Sequence, residues 1–507
     1  MGKFYILLAL IISTLVSNAQ SGVLDTSFGN DGIVTTVITG SYNLAHTSVV
    51  QADGKILVAG EAGEPSPMKV AVARYNTDGT LDSSFGSSGT LLIQVGPARS
   101  YARNIALQAD GKIVIGAYTY DDVAADFAVV RLLADGTLDT SFGNNGITIA
   151  DAGSHDIVDA MVLLNDGKIL LAGNNYTDFL AARFNADGSL DTSFGTNGWT
   201  AIGFDSSDSQ VKDVALQNDG KILLGGYSYN NSTGVNSMAA TRINADGSID
   251  PTFGTAGKVT INSGNDEDYA VAIAVQTDGK IVMGGYTYVG NNPYRYDLVA
   301  VRLNPDGTFD NNYANNGIAI TRVLENGQNY AEQMVLQPDG KVILAGYAAV
   351  TDNYNLAMVR FDTAGNVDTT FGIDGKVSTD INSRPDFGKA ITLQPDNKII
   401  LTGYSYAPSG IGEIVVARYD NIILGTNEYQ DLEFHLYPNP ADEQITIELS
   451  DTSSKYQVEI LDILGRKVFY SEIQKVGVIN ISALVPGAYL VKINSENKVN
   501  VVRFIKK

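Results

Sequence analysis

Seven arginines, Arg74, Arg131, Arg183, Arg242, Arg302, Arg360 and Arg418, each close an apolar run, and an aspartate accompanies each in a Leu-Asp-x-x-Phe-Gly phrase or its equivalent. A guanidinium is a rigid fork of donors that matches a carboxylate or a pair of carbonyls. Because one active site is not normally built seven times, the recurrence points to a structural clamp at a repeated corner, with the phrase's phenylalanine as its anchor. Ligand binding by the same arginines is the competing use.

Tyrosines recur as Tyr-x-Tyr at Tyr118 and Tyr120, Tyr227 and Tyr229, Tyr286 and Tyr288, and Tyr404 and Tyr406. In a strand this spacing puts both rings on one face. Such rings can bury themselves between sheets with the hydroxyl kept wet, or stack on sugar rings at a sheet end. The lone Trp199 adds little to either use.

The repeated Asn-x-Asp-Gly-x-x-Asp, as in Asn76-Thr77-Asp78-Gly79 with Asp82, looks like the middle of a calcium loop. That register places Arg74 at the first ligand position and Phe85 at the bidentate glutamate position, and Arg183 with Phe194 and Arg302 with Tyr313 repeat the clash. Aspartate turns with local side-chain hydrogen bonds account for the motif better. His46, His155 and His435 show no metal-ligand spacing, and there is no cysteine. No nucleophile elbow, phosphate loop or zinc helix is present, and no motif singles out one of the 56 acidic residues. The sequence therefore names no catalytic residue, no metal ligand and no cofactor, and leaves the binding residues unidentified.

Two phrases organise the elements that carry these residues. A Gln/Asn-x-Asp-Gly-Lys turn has its glycine, or its replacement, at Gly54, Gly111, Gly167, Gly220, Gly279, Gly340 and Asn397. The aromatic of Leu-Asp-x-x-Phe-Gly falls at Phe28, Phe85, Phe142, Phe194, Phe253, Tyr313 and Phe371, at spacings of 57, 57, 52, 59, 60 and 58 residues. An Asp-Gly pair between apolar runs marks a hairpin. Ile105–Ala109 and Lys112–Ala117 thus read as paired strands, with Phe127–Leu133 and Ile147–Ala150 as the third and fourth. Runs such as Lys-Ile-Val-Ile-Gly are apolar on both faces, as a sheet covered on both sides must be. Four strands in each of seven long repeats predict a seven-bladed β-propeller. The seventh repeat stops after Lys398–Tyr404 and Glu413–Tyr419 with no fourth strand, whereas the chain opens on Leu24–Gly29 and Ile33–Ile38 with nothing before them. The N-terminal strand is therefore expected to complete the last blade and close the ring, removing its sheet edges.

From about Asn427 the repeat ends, and short alternating strands are expected at Gln444–Leu449, Gln457–Leu461, Lys467–Glu472, Gly477–Ile481, Tyr489–Asn494 and Asn500–Ile505, a small β-sandwich. From Gln430 onward nine Lys/Arg face ten Asp/Glu, so nearly all of the net charge of −22 lies on the propeller. A field of that sign disfavours nucleic acid and anionic lipid.

The Leu-Asp-x-x-Phe-Gly…Asp-Gly-Lys pattern over residues 24 to about 424 resembles the delta-60 repeat, a bacterial β-propeller family, departing from it at Tyr313, Asn397 and Ala364-Gly365. The segment 437–507 resembles the type A C-terminal sorting domain of the type IX secretion system of Bacteroidetes. The resemblance rests on Tyr437-Pro438-Asn439-Pro440-Ala441, Asp462-Ile463-Leu464-Gly465-Arg466, Pro486-Gly487-Ala488-Tyr489-Leu490-Val491-Lys492 and the terminal Phe504-Ile505-Lys506-Lys507. That family implies Sec export, passage across the outer membrane, and usually removal of the sorting domain with the cargo attached to the cell surface or released. Lys3, the apolar run from Phe4 to Val16 and Ser17-Asn18-Ala19 before Gln20 fit a signal peptide over residues 1–19 cleaved between Ala19 and Gln20. No other stretch is apolar over a membrane-spanning length. The expected layout is a propeller over 20–424, a linker over 425–436 and the sorting domain over 437–507.

Two functions follow as expectations. One is a secreted or surface-attached, non-catalytic binding or scaffold propeller whose further partner is an extracellular glycan or protein. The other is a polysaccharide-acting hydrolase or lyase with its site at the mouth of the channel. A purely architectural adhesin component is a third option, in which the repeat-breaking segments Asn230–Asn236, Gly290–Arg295 and Glu61–Pro67 are solvated loops; under the binding readings these are where specificity is expected.

Overall fold

The computed structural model describes residues 21–421 and 434–507, apart from residues 65, 66, 98, 154, 205–207, 265, 266, 292, 293, 326, 352, 382, 450–455, 463–466, 475, 496 and 497. The chain divides into two compact units, Met1–Ile423 and Leu424–Lys507. Both are all-β among the described residues, and no helix is long and apolar enough to cross a membrane.

In the first unit, seven antiparallel meanders of four strands occupy residues 42–93, 99–150, 157–202, 209–261, 267–321 and 328–379 (blades 1 to 6) and 386–420 (blade 7). Blade 7 has three strands of its own and takes its fourth from the N-terminus. Ile33–Thr36 pairs antiparallel with the strand Gly412–Asp420, Ile33 opposite Ala417, and Val23–Leu24 adds two further pairs. The ring is a closed seven-bladed β-propeller. The first strand of each blade lies against the first strands of its neighbours, and that of blade 7 meets that of blade 1, so these seven strands surround the central channel.

Strands apolar on both faces need a core on both faces, and the core is accordingly divided into seven layers, one between each pair of blades. Val70, Val72 and Phe85 of blade 1 pack on Ile113, Ile115 and Val130 of blade 2, and the last layer joins Ile414 and Val416 of blade 7 to Ile56 and Val58 of blade 1.

The recurrent arginines form the corners between blades. Arg242 Nε donates to Asp250 Oδ2 at 2.7 Å, Arg242 Nη1 donates to the carbonyl of Pro305 in the next blade at 2.6 Å, and Lys221 Nζ lies 3.0 Å from the same carboxylate. The guanidinium carbon sits 4.9 Å from the centre of the Phe253 ring. The same arginine, aspartate, lysine and aromatic group stands in all seven blades. In blade 7 it is assembled from both ends of the propeller, with Arg418 and Lys398 on Asp25 at 2.7 and 2.8 Å and Phe28 under the guanidinium. Burial raises the pKa of Asp250, and hydrogen bonds from Thr252, Lys221 and Arg242 more than offset it, holding the carboxyl well below the usual range.

In the second unit, Phe434–Tyr437, Gln444–Leu449 and Val476–Asn480 make a three-stranded sheet, and Lys467–Ile473, Tyr456–Asp462, Gly487–Ser495 and Lys498–Lys506 a four-stranded one. Ile445, Ile447, Val458, Val491 and Phe504 form its core. The strand Phe434–Tyr437 goes beyond the six expected, because its pairing with Leu449 to Thr446 is set by the sheet and leaves no period in so short a run.

Candidate functional site

The first strands begin earlier than apolar periodicity suggests: in blade 2 the strand is Arg99–Leu107, where Ile105–Ala109 was expected. The reason is a bulge. Pairing between first and second strands skips one residue at the same place in every blade, at His46, Arg103, Asp159, Lys212, Val271, Glu332 and Lys389. Two residues then oppose one, and the local period of two is lost. Small residues across the ladder make room. At Gly60, Gly173, Gly226, Gly285, Gly346 and Gly403 a Cβ would stand 1.8 to 2.0 Å from a first-strand carbonyl oxygen.

All seven bulge residues line one cavity of about 370 Å³. The backbone position repeats while the side chains differ, so a sevenfold frame carries an unrepeated surface. Its charges are paired between blades: Lys212 Nζ is 3.3 Å from Asp159 of the preceding blade, Lys389 Nζ is 2.5 Å from Glu332, and Arg103 Nη1 is 3.7 Å from Glu61.

A second ring of positions lies where the second strand pairs with the first-strand residue two before the bulge. It reads Glu61, Tyr118, Asn174, Tyr227, Tyr286, Tyr347 and Tyr404, paired with Leu44, Tyr101, Ile157, Gln210, Tyr269, Tyr330 and Phe387. From blade 4 to blade 7 the rings form an unbroken run. Ring centres are 5.0 Å apart for Tyr227–Tyr269, 4.9 Å for Tyr269–Tyr286, 5.2 Å for Tyr286–Tyr330, 5.2 Å for Tyr330–Tyr347, 5.0 Å for Tyr347–Phe387 and 5.0 Å for Phe387–Tyr404. Tyr227, Tyr286 and Tyr347 reach the cavity. Burial lifts their phenols, and that of Tyr404, above the ordinary value, so they remain neutral donors.

The run ends where blade 1 puts Leu44 and Glu61 in place of an aromatic pair. His46 Nε2 is 2.8 Å from Glu61 Oε1, and its ring meets Tyr404 edge-on at 6.4 Å. Burial drives the imidazole's pKa below its ordinary value, against the attraction of Glu61. Burial alone would raise the Glu61 carboxyl, and the pull of His46 and Arg103 brings it below the usual range. An ionised Glu61 accepts only, so the His46 proton sits on Nε2 and leaves Nδ1 with a free lone pair. Asp213, next to the blade 4 bulge, also lines the cavity; it accepts backbone N–H groups of Ile273 at 2.9 Å and Val214 at 2.8 Å, and burial pushes its pKa up to about 6.

The residues singled out in the sequence separate into two sets. The first tyrosine of each pair belongs to the aromatic ring of positions, and Tyr347 extends the series without a second tyrosine. The arginines sit in the blade corners. The aspartates of Asn-x-Asp-Gly-x-x-Asp close local turns: Asp78 Oδ1 accepts the N–H and hydroxyl of Thr80 at 2.9 and 2.7 Å. His46 reaches the cavity, His155 stacks on Tyr176 at 4.6 Å, and His435 lies in the strand Phe434–Tyr437. Glu61, which the architectural option puts in a solvated loop and the binding readings in a specificity segment, lies inside the strand Ile56–Gly63 and is 4% exposed. Gly290–Arg295 likewise falls mostly within the strands Ile281–Asn291 and Tyr294–Leu303. A carboxylate oxygen from each of Asp126, Asp151 and Asp156 lies within 4.8 Å of the others, a grouping no motif announces. The bulge residues were missed because no shared residue type marks them; their constant distance from the following Asp-Gly turn was the available signal.

In the sorting segment, the Asn439 side chain accepts the Ile505 N–H at 3.0 Å. Tyr489 donates to the carbonyl of Val485 at 2.9 Å and stacks on Phe504, Gly487 opens its strand opposite Lys506, and Lys492 pairs with Glu459. Tyr437 is half exposed, followed by Pro438 and Pro440 in the turn before Gln444–Leu449. Gly465, and Ala19 with Gln20, lie outside the described residues.

A family model described as a domain of unknown function (DUF5122) beta-propeller matches residues 51–85, 108–142, 164–194, 217–253, 276–313, 337–371 and 394–421. A second, the secretion system C-terminal sorting domain, matches residues 435–507. No curated protein matches the chain. Among solved structures, polysaccharide lyase Uly1 is similar at 11% identity, covering 81% of this chain and 94% of that chain with a TM-score of 0.45. A catalytically inactive virginiamycin B lyase from Staphylococcus aureus with quinupristin is similar at 11% identity, covering 76% and 98% with a TM-score of 0.43. A protein of unknown function from Dyadobacter fermentans is similar at 10% identity, covering 80% and 98% with a TM-score of 0.38. The chain thus carries seven DUF5122 beta-propeller repeats and a C-terminal sorting domain of the type IX secretion system, which supports export to a cell-surface or secreted location.

Proposed function

We propose that this is a non-catalytic glycan-binding protein of the cell exterior, with its site in the channel cavity lined by the bulge residues. The observation that carries the reading is the aromatic run of blades 4 to 7 beside alternating, paired charges in one cavity. Sugar rings present apolar faces that stack on aromatics and hydroxyls that both donate and accept, so a neutral, mixed lining suits them. The test is thermal unfolding of the mature chain against a panel of polysaccharides and envelope glycans. A ligand at 100 times its dissociation constant adds about 2.7 kcal/mol of stability, read as a raised midpoint. Tyr286→Ala and Tyr347→Ala should each remove about 1 kcal/mol or more of binding. A flat panel would remove the glycan reading and favour a protein partner or a scaffold.

One observation favours a second reading, a polysaccharide-acting hydrolase or lyase. His46, oriented by a buried carboxylate beside Arg103, has the form of a general base. Release of new reducing ends or unsaturated products from a bound polysaccharide would establish it, and intact polysaccharide after long incubation would dismiss it.

For the route, we infer Sec export with cleavage between Ala19 and Gln20, then type IX translocation and loss of residues 437–507. N-terminal sequencing of the exterior protein should begin at Gln20. A start elsewhere would refute that cleavage site.

A further inference from the structure

Blades 1 and 3 interrupt the aromatic positions around the channel, and only blade 1 does so with a charge. Four blades place an aromatic pair before the bulge (Tyr101 with Tyr118, Tyr269 with Tyr286, Tyr330 with Tyr347 and Phe387 with Tyr404), whereas blade 1 places Leu44 with Glu61. Substituting a carboxylate for a ring in a buried position is expensive unless the charge is used. Here the charge is used twice: Glu61 accepts the Nε2–H hydrogen bond of His46 at 2.8 Å and lies 3.7 Å from Arg103, and His46 lines the cavity where the aromatic run stops.

We propose that His46, fixed by Glu61, is the hydrogen-bond acceptor that reads one ligand hydroxyl, with the ligand's ring resting on the tyrosines across the cavity. The assignment rests on the glycan reading and deepens it: the ligand class is a polyhydroxylated ring that stacks on Tyr286 and Tyr347 and donates a hydroxyl proton to Nδ1. Glu61 is the positioning residue and makes no ligand contact of its own. The charged and titratable groups facing His46 are Glu61 on its own blade, Arg103 on blade 2, and Lys389 and Tyr404 on blade 7, with Glu332 beyond Lys389. Arg103 and Lys389 oppose a positive imidazole, and Glu61 favours one. A protonated His46 has no acceptor, so ligand binding must fade as the imidazole gains its second proton.

The experiment uses the mature chain and, as probes, methyl hexopyranosides of several configurations with their mono-O-methyl ethers, titrated from pH 8 into acid as far as the chain stays folded, by ligand-observed NMR. The wild type should bind at pH 7 and weaken in acid, below the ordinary imidazole range, with the slope of a single proton. One O-methyl ether, lacking the hydroxyl that is read, should bind about tenfold more weakly at pH 7. His46→Phe should bind weakly at every pH, and His46→Gln, which keeps an acceptor, should bind without the pH slope. Glu61→Gln removes the charge that favours the imidazolium, so its midpoint should move to lower pH. Wild-type binding that His46→Phe retains while folded by its unfolding midpoint, or that no mono-O-methyl ether weakens, would overturn the assignment and leave the glycan reading standing. No binding of any glycoside or polysaccharide by the wild type would overturn both.

Discussion

At the scale of single residues, Tyr313 stands where the other six copies have phenylalanine, and its ring is buried at 1% exposure with no hydrogen-bond partner for the hydroxyl. A buried, unsatisfied hydroxyl is a liability of about 1 kcal/mol or more. Tyr313→Phe should therefore stabilise the propeller by about that amount, read as a higher denaturant midpoint with unchanged slope; a lower midpoint would show that the hydroxyl is satisfied. Asp213 and Asp386 give a pH dependence. Burial holds both carboxyls near 6, above the ordinary 3.8, so the folded chain binds more protons than the unfolded one between those values. Their contribution is fully present below about pH 4 and is lost as pH rises through 6. The corner aspartates act in the opposite sense, since Asp82, Asp139 and Asp250 sit below the usual range and lose their contribution only in acid. Asp213→Asn, whose single oxygen can accept from only one of the Ile273 and Val214 N–H groups, should lower stability overall and flatten its fall between pH 4 and pH 7. An unchanged fall would place the proton elsewhere.

The element that repeats most strictly is the corner clamp. Arg242 and Asp250 are 6% and 4% exposed, and the guanidinium also holds the Pro305 carbonyl of blade 5. Arg242→Ala would leave the Pro305 carbonyl without this donor and Asp250 with only Lys221 and Thr252, a loss of about 1–3 kcal/mol. Chemical denaturation should show it, whereas a loss below about 1 kcal/mol would mean that Lys221 alone satisfies Asp250. Close packing backs up the charge. At Gly247, with φ at +89°, a Cβ would come 2.7 Å from the Gly195 nitrogen of blade 3. Hairpins and clamps were legible because an Asp-Gly turn and a guanidinium each constrain their own neighbourhood. The bulge was not legible. It is defined by pairing between two strands, and the residues it carries, from His46 to Lys389, share no type.

For the whole molecule, closure depends on the first strand meeting the last. Removing residues 21–36 would take Asp25 and Phe28 from the seventh clamp and leave the edge of Gly412–Asp420 open. Open edges pair with other chains. The truncated protein should elute as oligomers in size-exclusion chromatography and unfold at a lower temperature, while a monomer of unchanged midpoint would deny the N-terminal strand its role in closure. The sequence by itself determined the number of blades, the meander in each, the N-terminal closure and the sorting domain. These follow from local turn chemistry, apolar runs and copy number, all of which act over a few residues or repeat at a fixed spacing. Only the tertiary structure decided that seven bulge residues of six types meet in one channel, that the tyrosines form a run ending at His46, and that Glu61 lies inside a strand. Those relations join residues up to several hundred positions apart, and no local period encodes which side chains a closed ring will bring face to face.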